Sequence, residues 1–195
     1  MNFEFGEIIN PYLEKADFDQ AIQLAEAKLA AISATPFHAV IGKSFFAQAP
    51  SLCSWINNFY KASTEAFPVC ALYFELTEFD INTDEWSIDG LAYPEDGGLE
   101  DTEWLAESSE VAVSESAFVL EGWESLQEAF EDDKIDSDDE QNARDWCEQL
   151  IIARYMQLVR AAHQHAKEQA FAWSSIPVYC TEHGYDFIVR SSNKG

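Results

Sequence analysis

Between Glu75 and Glu140 the chain carries 24 acidic side chains and a single basic one, Lys134, so this stretch alone holds −23 of the formal net charge of −25. Charge this dense constrains folding directly, because an unpaired carboxylate taken out of water is costly. Whatever forms here must keep one side in solvent along its whole length. Yet Phe74, Phe79, Trp86, Trp104, Phe118, Trp123 and Phe130 border the acids or lie among them. Disordered acidic segments lack such aromatics. The stretch is therefore expected to fold, with its carboxylates on the outer side of strands, loops and a helix.

The flanks are nearly neutral. Residues 1–74 hold seven acids and four bases, and residues 141–195 hold five acids and six bases. With 195 residues and 47% apolar side chains, the chain is long enough for one packed core without a metal or disulfide staple. No Ser/Gly-rich linker and no solenoid-length repeat divides it. A single domain over residues 1–195 is expected.

The charge also narrows the partners. Nucleic-acid binders need cations to neutralise phosphates, and anionic membrane surfaces attract basic segments. Neither a nucleic acid nor a membrane is expected to bind. No apolar run approaches the roughly 18 residues of a membrane span, and Met1 to Asn10 lacks the basic start and apolar run of a signal peptide. A basic protein is the partner that such a field attracts. The four cysteines, Cys53, Cys70, Cys147 and Cys180, are widely spaced and include no CxxC pair. They read as reduced core residues of a cytoplasmic protein.

Periodicity predicts the elements. Phe18, Ile22, Ala25, Leu29 and Ile32 form a helical stripe over 18–33, capped by Asp17 with Gln20 in the capping-box position. Phe37 to Phe46 matches no single element: Val40 and Ile41 are compatible with a short strand, and Gly42 breaks the run. A second helix is expected after Pro50, with Leu52, Trp55, Ile56, Phe59 and Tyr60 on one face. The period then changes to two. Cys70, Leu72, Phe74 and Leu76 alternate with Ala71, Tyr73, Glu75 and Thr77. Trp86, Ile88, Gly90 and Ala92 alternate with Ser87, Asp89, Leu91 and Tyr93. Two such runs around Asn82-Thr83-Asp84 read as an antiparallel hairpin. A third strand is expected at 116–120 and a short helix at 122–131. A long helix follows from the Ser137/Glu140 capping box to about Trp173. Two last strands flank His183-Gly184. Grouped helices and hairpins predict an α+β fold: an antiparallel sheet of about five strands with about four helices, one of them long.

Motifs for chemistry are missing. Asp136 to Glu140 begins like a calcium loop, but Gln141 stands where the turn needs Gly and Cys147 where a bidentate Glu is needed. Helix capping explains the segment better. Asp80, Asn82 and Asp84 read as a turn. His163 and His165 are two apart on a helix and cannot share a metal in the HExxH manner. No GxSxG elbow, GxGxxG or P-loop occurs. Neither a metal nor a cofactor is expected, and no catalytic residue is assigned.

What remains is the loop after Pro94, where Glu95, Asp96, Glu100, Asp101 and Glu103 cluster beside Trp104. An acidic rim around an aromatic anchor suits a basic protein partner. In class and composition the chain resembles the bacterial immunity proteins that plug basic toxins. The resemblance rests on small size, acidity and the α+β outline, and it implies a non-enzymatic inhibitor. The alternatives are a small hydrolase or ligand-binding protein using buried carboxylates, which requires a pocket and shifted pKa values, and a nucleic-acid mimic, which requires a row of acids across strands.

Overall fold

The computed structural model describes residues 3–132, 135–185 and 187–191. Lys134, the lone cation of the acidic stretch, lies outside them. The chain begins with a helix that is not among the expected elements, α1 (Phe3–Leu13). Phe5, Ile9 and Leu13 recur every fourth residue; Ile9 and Leu13 are buried, and Phe5 stacks on Trp146 at 4.5 Å. A left-handed Ala16 (φ 53°) turns the chain into α2 (Phe18–Ala30), where the Asp17 carboxylate accepts from the Gln20 backbone N–H at 3.4 Å. This helix ends three residues before Ser33. The segment Pro36–Val40 is a 3-10 turn, not a strand, because Pro36 fixes a helical φ at its start. A second 3-10 turn (Phe46–Gln48) leads into α3 (Ala49–Ser63), whose Pro50 sits in the first turn, where no N–H is needed.

β1 (Ala71–Leu76) and β2 (Ser87–Tyr93) pair antiparallel in the expected hairpin. There follow α4 (Trp104–Glu107), β3 (Ala112–Val113), β4 (Phe118–Val119), α5 (Glu124–Glu131) and α6 (Asp138–Glu168). After a 3-10 turn (Ala172–Ser175) come β5 (Val178–Glu182) and β6 (Val189–Arg190). The long helix thus stops at Glu168, where a left-handed Ala170 (φ 52°) breaks it before Trp173. Among the described residues, six helices and a six-stranded sheet replace the expected four and five.

The sheet is mixed, not antiparallel. Its order is β3-β2-β1-β5-β6, with β4 also on β2. The exception to antiparallel pairing is β5, which runs parallel to β1. The reason is connectivity. The chain leaves β2 through the short edge strands, crosses the sheet along α6, and re-enters beside β1 in the same direction, as a helical crossover does.

Helices cover the inner sheet face. Leu72, Phe74, Leu76, Ile88, Ala92, Val178, Cys180 and Val189 join their core. Gly90 permits the closest approach: a Cβ there would lie 3.0–3.2 Å from Phe59 and Trp55. The axis of this core is α6, buried without interruption from Asp145 to Met156 and packed by α1, α2, α3 and β5. The aromatics of the acidic stretch point inward too. Phe79, Trp86, Trp123 and Phe130 are all buried, with ring centroids 5.3–6.0 Å apart. Cys53, Cys147 and Cys180 are buried as expected, but Cys70 is exposed, because it precedes the strand rather than continuing its inner row.

Candidate functional site

The outer sheet face is built from the other half of each alternation. Its rows follow the register: Val113 beside Leu91, Leu91 beside Tyr73, Tyr73 beside Tyr179, and Tyr179 beside Arg190. In the next row Asp89 lies opposite Glu75, and Glu75 opposite Thr181. Ala71, Tyr73, Tyr93 and Tyr179 make a small second cluster, packed by Leu91, Trp104, Leu105 and Ile188. The cover at this end is therefore the acidic loop with α4.

Of the six loop residues singled out by sequence, two fasten the loop and four face solvent. The half-buried Trp104 donates its indole N–H to the Gly98 carbonyl at 3.0 Å and meets Tyr93 and Tyr179 edge-on at 5.0 and 5.7 Å. Gly97 lies under the indole, where a Cβ would come within 2.2 Å of the ring. Asp96 accepts from the Tyr179 hydroxyl at 2.6 Å and from the Gly98 N–H at 3.2 Å. Burial first, and then Asp96, pushes the Tyr179 phenol well above its ordinary pKa. Burial raises Tyr93 to about 12, and its hydroxyl donates to the Leu105 carbonyl. Glu95, Glu100, Asp101 and Glu103 are exposed. Asp101 turns one oxygen to the Glu103 N–H at 3.0 Å.

The other end of the outer face holds a group that sequence patterns alone do not single out. Glu75 accepts from the Tyr73 hydroxyl at 2.9 Å and meets His183 Nδ1 at 2.5 Å. This contact raises the pKa of His183. A partial signal exists, since Tyr73 and Glu75 share one alternation and Asp89 and Leu91 share the other. Their meeting depends on register, and His183 arrives from a distant strand.

Three acids from the near-neutral C-terminal flank are buried, Asp145, Glu148 and Glu182. Glu182 continues the inner row Val178–Cys180 to the end of β5 and is fully enclosed. Among the described residues neither of its oxygens has a hydrogen-bond partner. Burial, with Asp80, Glu78 and Glu148 adding, pushes it up to about 9. Glu148 on α6 lies 3.3 Å from Arg144. Burial lifts it to about 7, Asp80 and Asp145 adding and Arg144 opposing. His163 is held neutral, at about 4, mainly by burial. The Ser174 carbonyl at 2.9 Å can only accept, so Nε2 carries the proton and Nδ1 accepts from the Ser191 hydroxyl at 2.7 Å. This bond ties the last described residue to α6.

Among the described residues no group of three His, Cys, Asp or Glu side chains is placed to hold a metal ion. Asp136 to Glu140 caps α6: Ser137 Oγ accepts from the Glu140 N–H at 3.2 Å, and the Glu140 carboxylate accepts from the Asp136 N–H at 3.0 Å. A groove of about 1010 Å³ between the α1–α2 turn, Pro50 and the C-terminal half of α6 is lined by Lys15, Phe18, Phe46, Arg160 and His165 among others, and by neither Glu148 nor Glu182. No described helix is long and apolar enough to cross a membrane. Compared with protein-family models, with curated proteins and with solved structures, the chain matches none.

Proposed function

We propose that this chain is a non-enzymatic binding protein that takes up a basic protein partner on its acidic side, in the manner of a stoichiometric inhibitor of the immunity type. The observation that carries this reading is the loop from Pro94 to Glu107. Asp96 and Trp104 fasten it to the sheet while Glu95, Glu100, Asp101 and Glu103 remain exposed. Charge displayed on an already ordered loop loses little entropy on binding, and a field of one sign speeds encounter with an opposite one.

The test is affinity capture from a lysate of the source cell, with elution along a salt gradient. One basic protein leaving at a defined salt step is expected. Reversal of Glu100, Asp101 and Glu103 to Lys slows its association more than tenfold at low salt. Retention of no basic protein, or of an unselective mixture at low salt, defeats the reading.

A second reading, a small enzyme or ligand-binding protein, is favoured by the raised pKa values of Glu148 and Glu182, since such shifts accompany functional carboxylates. It expects a small molecule whose binding is lost in Glu182→Gln.

A further inference from the structure

We infer that the partner is anchored on the uncovered half of the outer sheet face, around Leu91, Val113, Val119, Asp89 and Glu75, and that its anchor is an arginine-bearing segment. This rests on the basic-partner reading above and assigns the loop a separate task, steering.

Three features of that half-face point to such an occupant. The first is exposed apolar area. The loop and α4 cover the tyrosine end and leave Leu91 half-buried, and beside it the edge strands present Val113 at 64% and Val119 at 41% exposure. Both valines fall on the outer face by register, Val113 against Leu91 and Val119 against Ser87.

The second is a like-charge pair. Glu75 and Asp89 are directly opposed across β1 and β2, an arrangement that destabilises a sheet unless a cation lies between. Glu75 is held in place by Tyr73 and His183, so it cannot swing away. Asp89 is half-buried and makes no hydrogen bond or ion pair among the described residues. A cation from outside would neutralise the pair and find its acceptors already oriented.

The third is the juxtaposition of the two. From Val113 to Glu75 is two strand steps across the sheet and two residues along it, roughly 12 Å. An arginine can lay its aliphatic stem on Leu91 and Val113 while its planar guanidinium donates to both carboxylates. A lysine offers the stem but not the paired donors. The surrounding acids of the loop then form a rim that attracts the partner without contributing much to its retention.

The experiment measures association and dissociation rates of the captured basic protein on the full chain and its variants. Asp89→Asn and Val113→Ser are expected to raise the dissociation rate about tenfold while the association rate stays within twofold. The triple loop reversal is expected to do the opposite. If the loop variants carry the whole effect and the sheet variants none, this anchor is wrong and the basic-partner reading survives. If no basic protein is retained, both fall. A second measurement needs no natural partner. Titration with nona-arginine and nona-lysine, read by amide chemical shifts, is expected to move Glu75, Asp89 and Leu91 more strongly with arginine, and Asp89→Asn is expected to remove that preference. Equal shifts with both peptides overturn the anchor. So does a concentration-dependent dimer that Val113→Ser abolishes, because the face would then belong to a second copy.

Discussion

The middle of the chain and its C-terminal flank treat carboxylates in opposite ways. The middle holds nearly all the charge and leaves most of it in solvent, turning Phe79, Trp86, Trp123 and Phe130 inward. The flank is almost neutral, yet it sends Glu148 and Glu182 into the core, where burial holds their pKa values near 7 and 9. Charge density along a sequence is thus a poor guide to where charge is energetically expensive. An exposed acid is solvated and stabilises or destabilises little, however many neighbours it has. One enclosed acid without hydrogen bonds must keep its proton or lose stability.

The comparison breaks most easily at Trp86. If the acidic middle is part of the core, Trp86→Ala costs about 3–5 kcal/mol, because the ring is fully buried and its N–H donates to the Phe79 carbonyl at 3.1 Å. A loss below about 1 kcal/mol in urea unfolding would make the middle an appendage. Glu182→Gln comes next and has a sign fixed by pH. The folded-state value near 9 lies above the ordinary 4.5, so folding takes up a proton between those values. The stability from this group is full below about 4.5 and declines as pH rises toward 9. The variant is therefore expected to match the parent near pH 5 and to exceed it by on the order of 3 kcal/mol near pH 7. Parallel pH profiles would remove Glu182 from the buried class. Tyr179→Phe should cost about 1–2 kcal/mol through the lost bond to Asp96 and should speed amide exchange across 95–104. Smallest of all, the triple reversal of Glu100, Asp101 and Glu103 should change stability by no more than about 0.5 kcal/mol, which separates its effect on association from any effect on folding.

Local rules make several elements legible in the sequence. Asp17 and Ser137 cap the helices that they precede, because a cap involves neighbours three residues apart. The alternation in 70–77 and 86–93 marks the hairpin and sorts its residues onto two faces. Trp146, Cys147, Leu150, Ile151 and Tyr155 mark the buried stripe of the long helix. What escapes such rules is non-local. The two-residue β3 is too short to show a period. The parallel pairing of β5 depends on where a 31-residue helix ends. Within the candidate site, the acidic loop can be read from composition, but not that Asp96 and Trp104 fasten it. Nor can the junction of Tyr73, Glu75 and His183 be read, since His183 lies 108 residues from Glu75.

By itself the sequence determined the α+β class, the charge map, the hairpin, the long helix and the absence of familiar catalytic motifs. These follow from composition and from interactions within a few residues. Only the tertiary structure decided the mixed sheet, the division of the loop into fastened and free carboxylates, and which acids are buried. Burial is a property of everything packed around a side chain. Glu148 and Glu182 carry the same carboxylate as Glu100 and Glu103, and only their surroundings make them hold a proton near neutral pH.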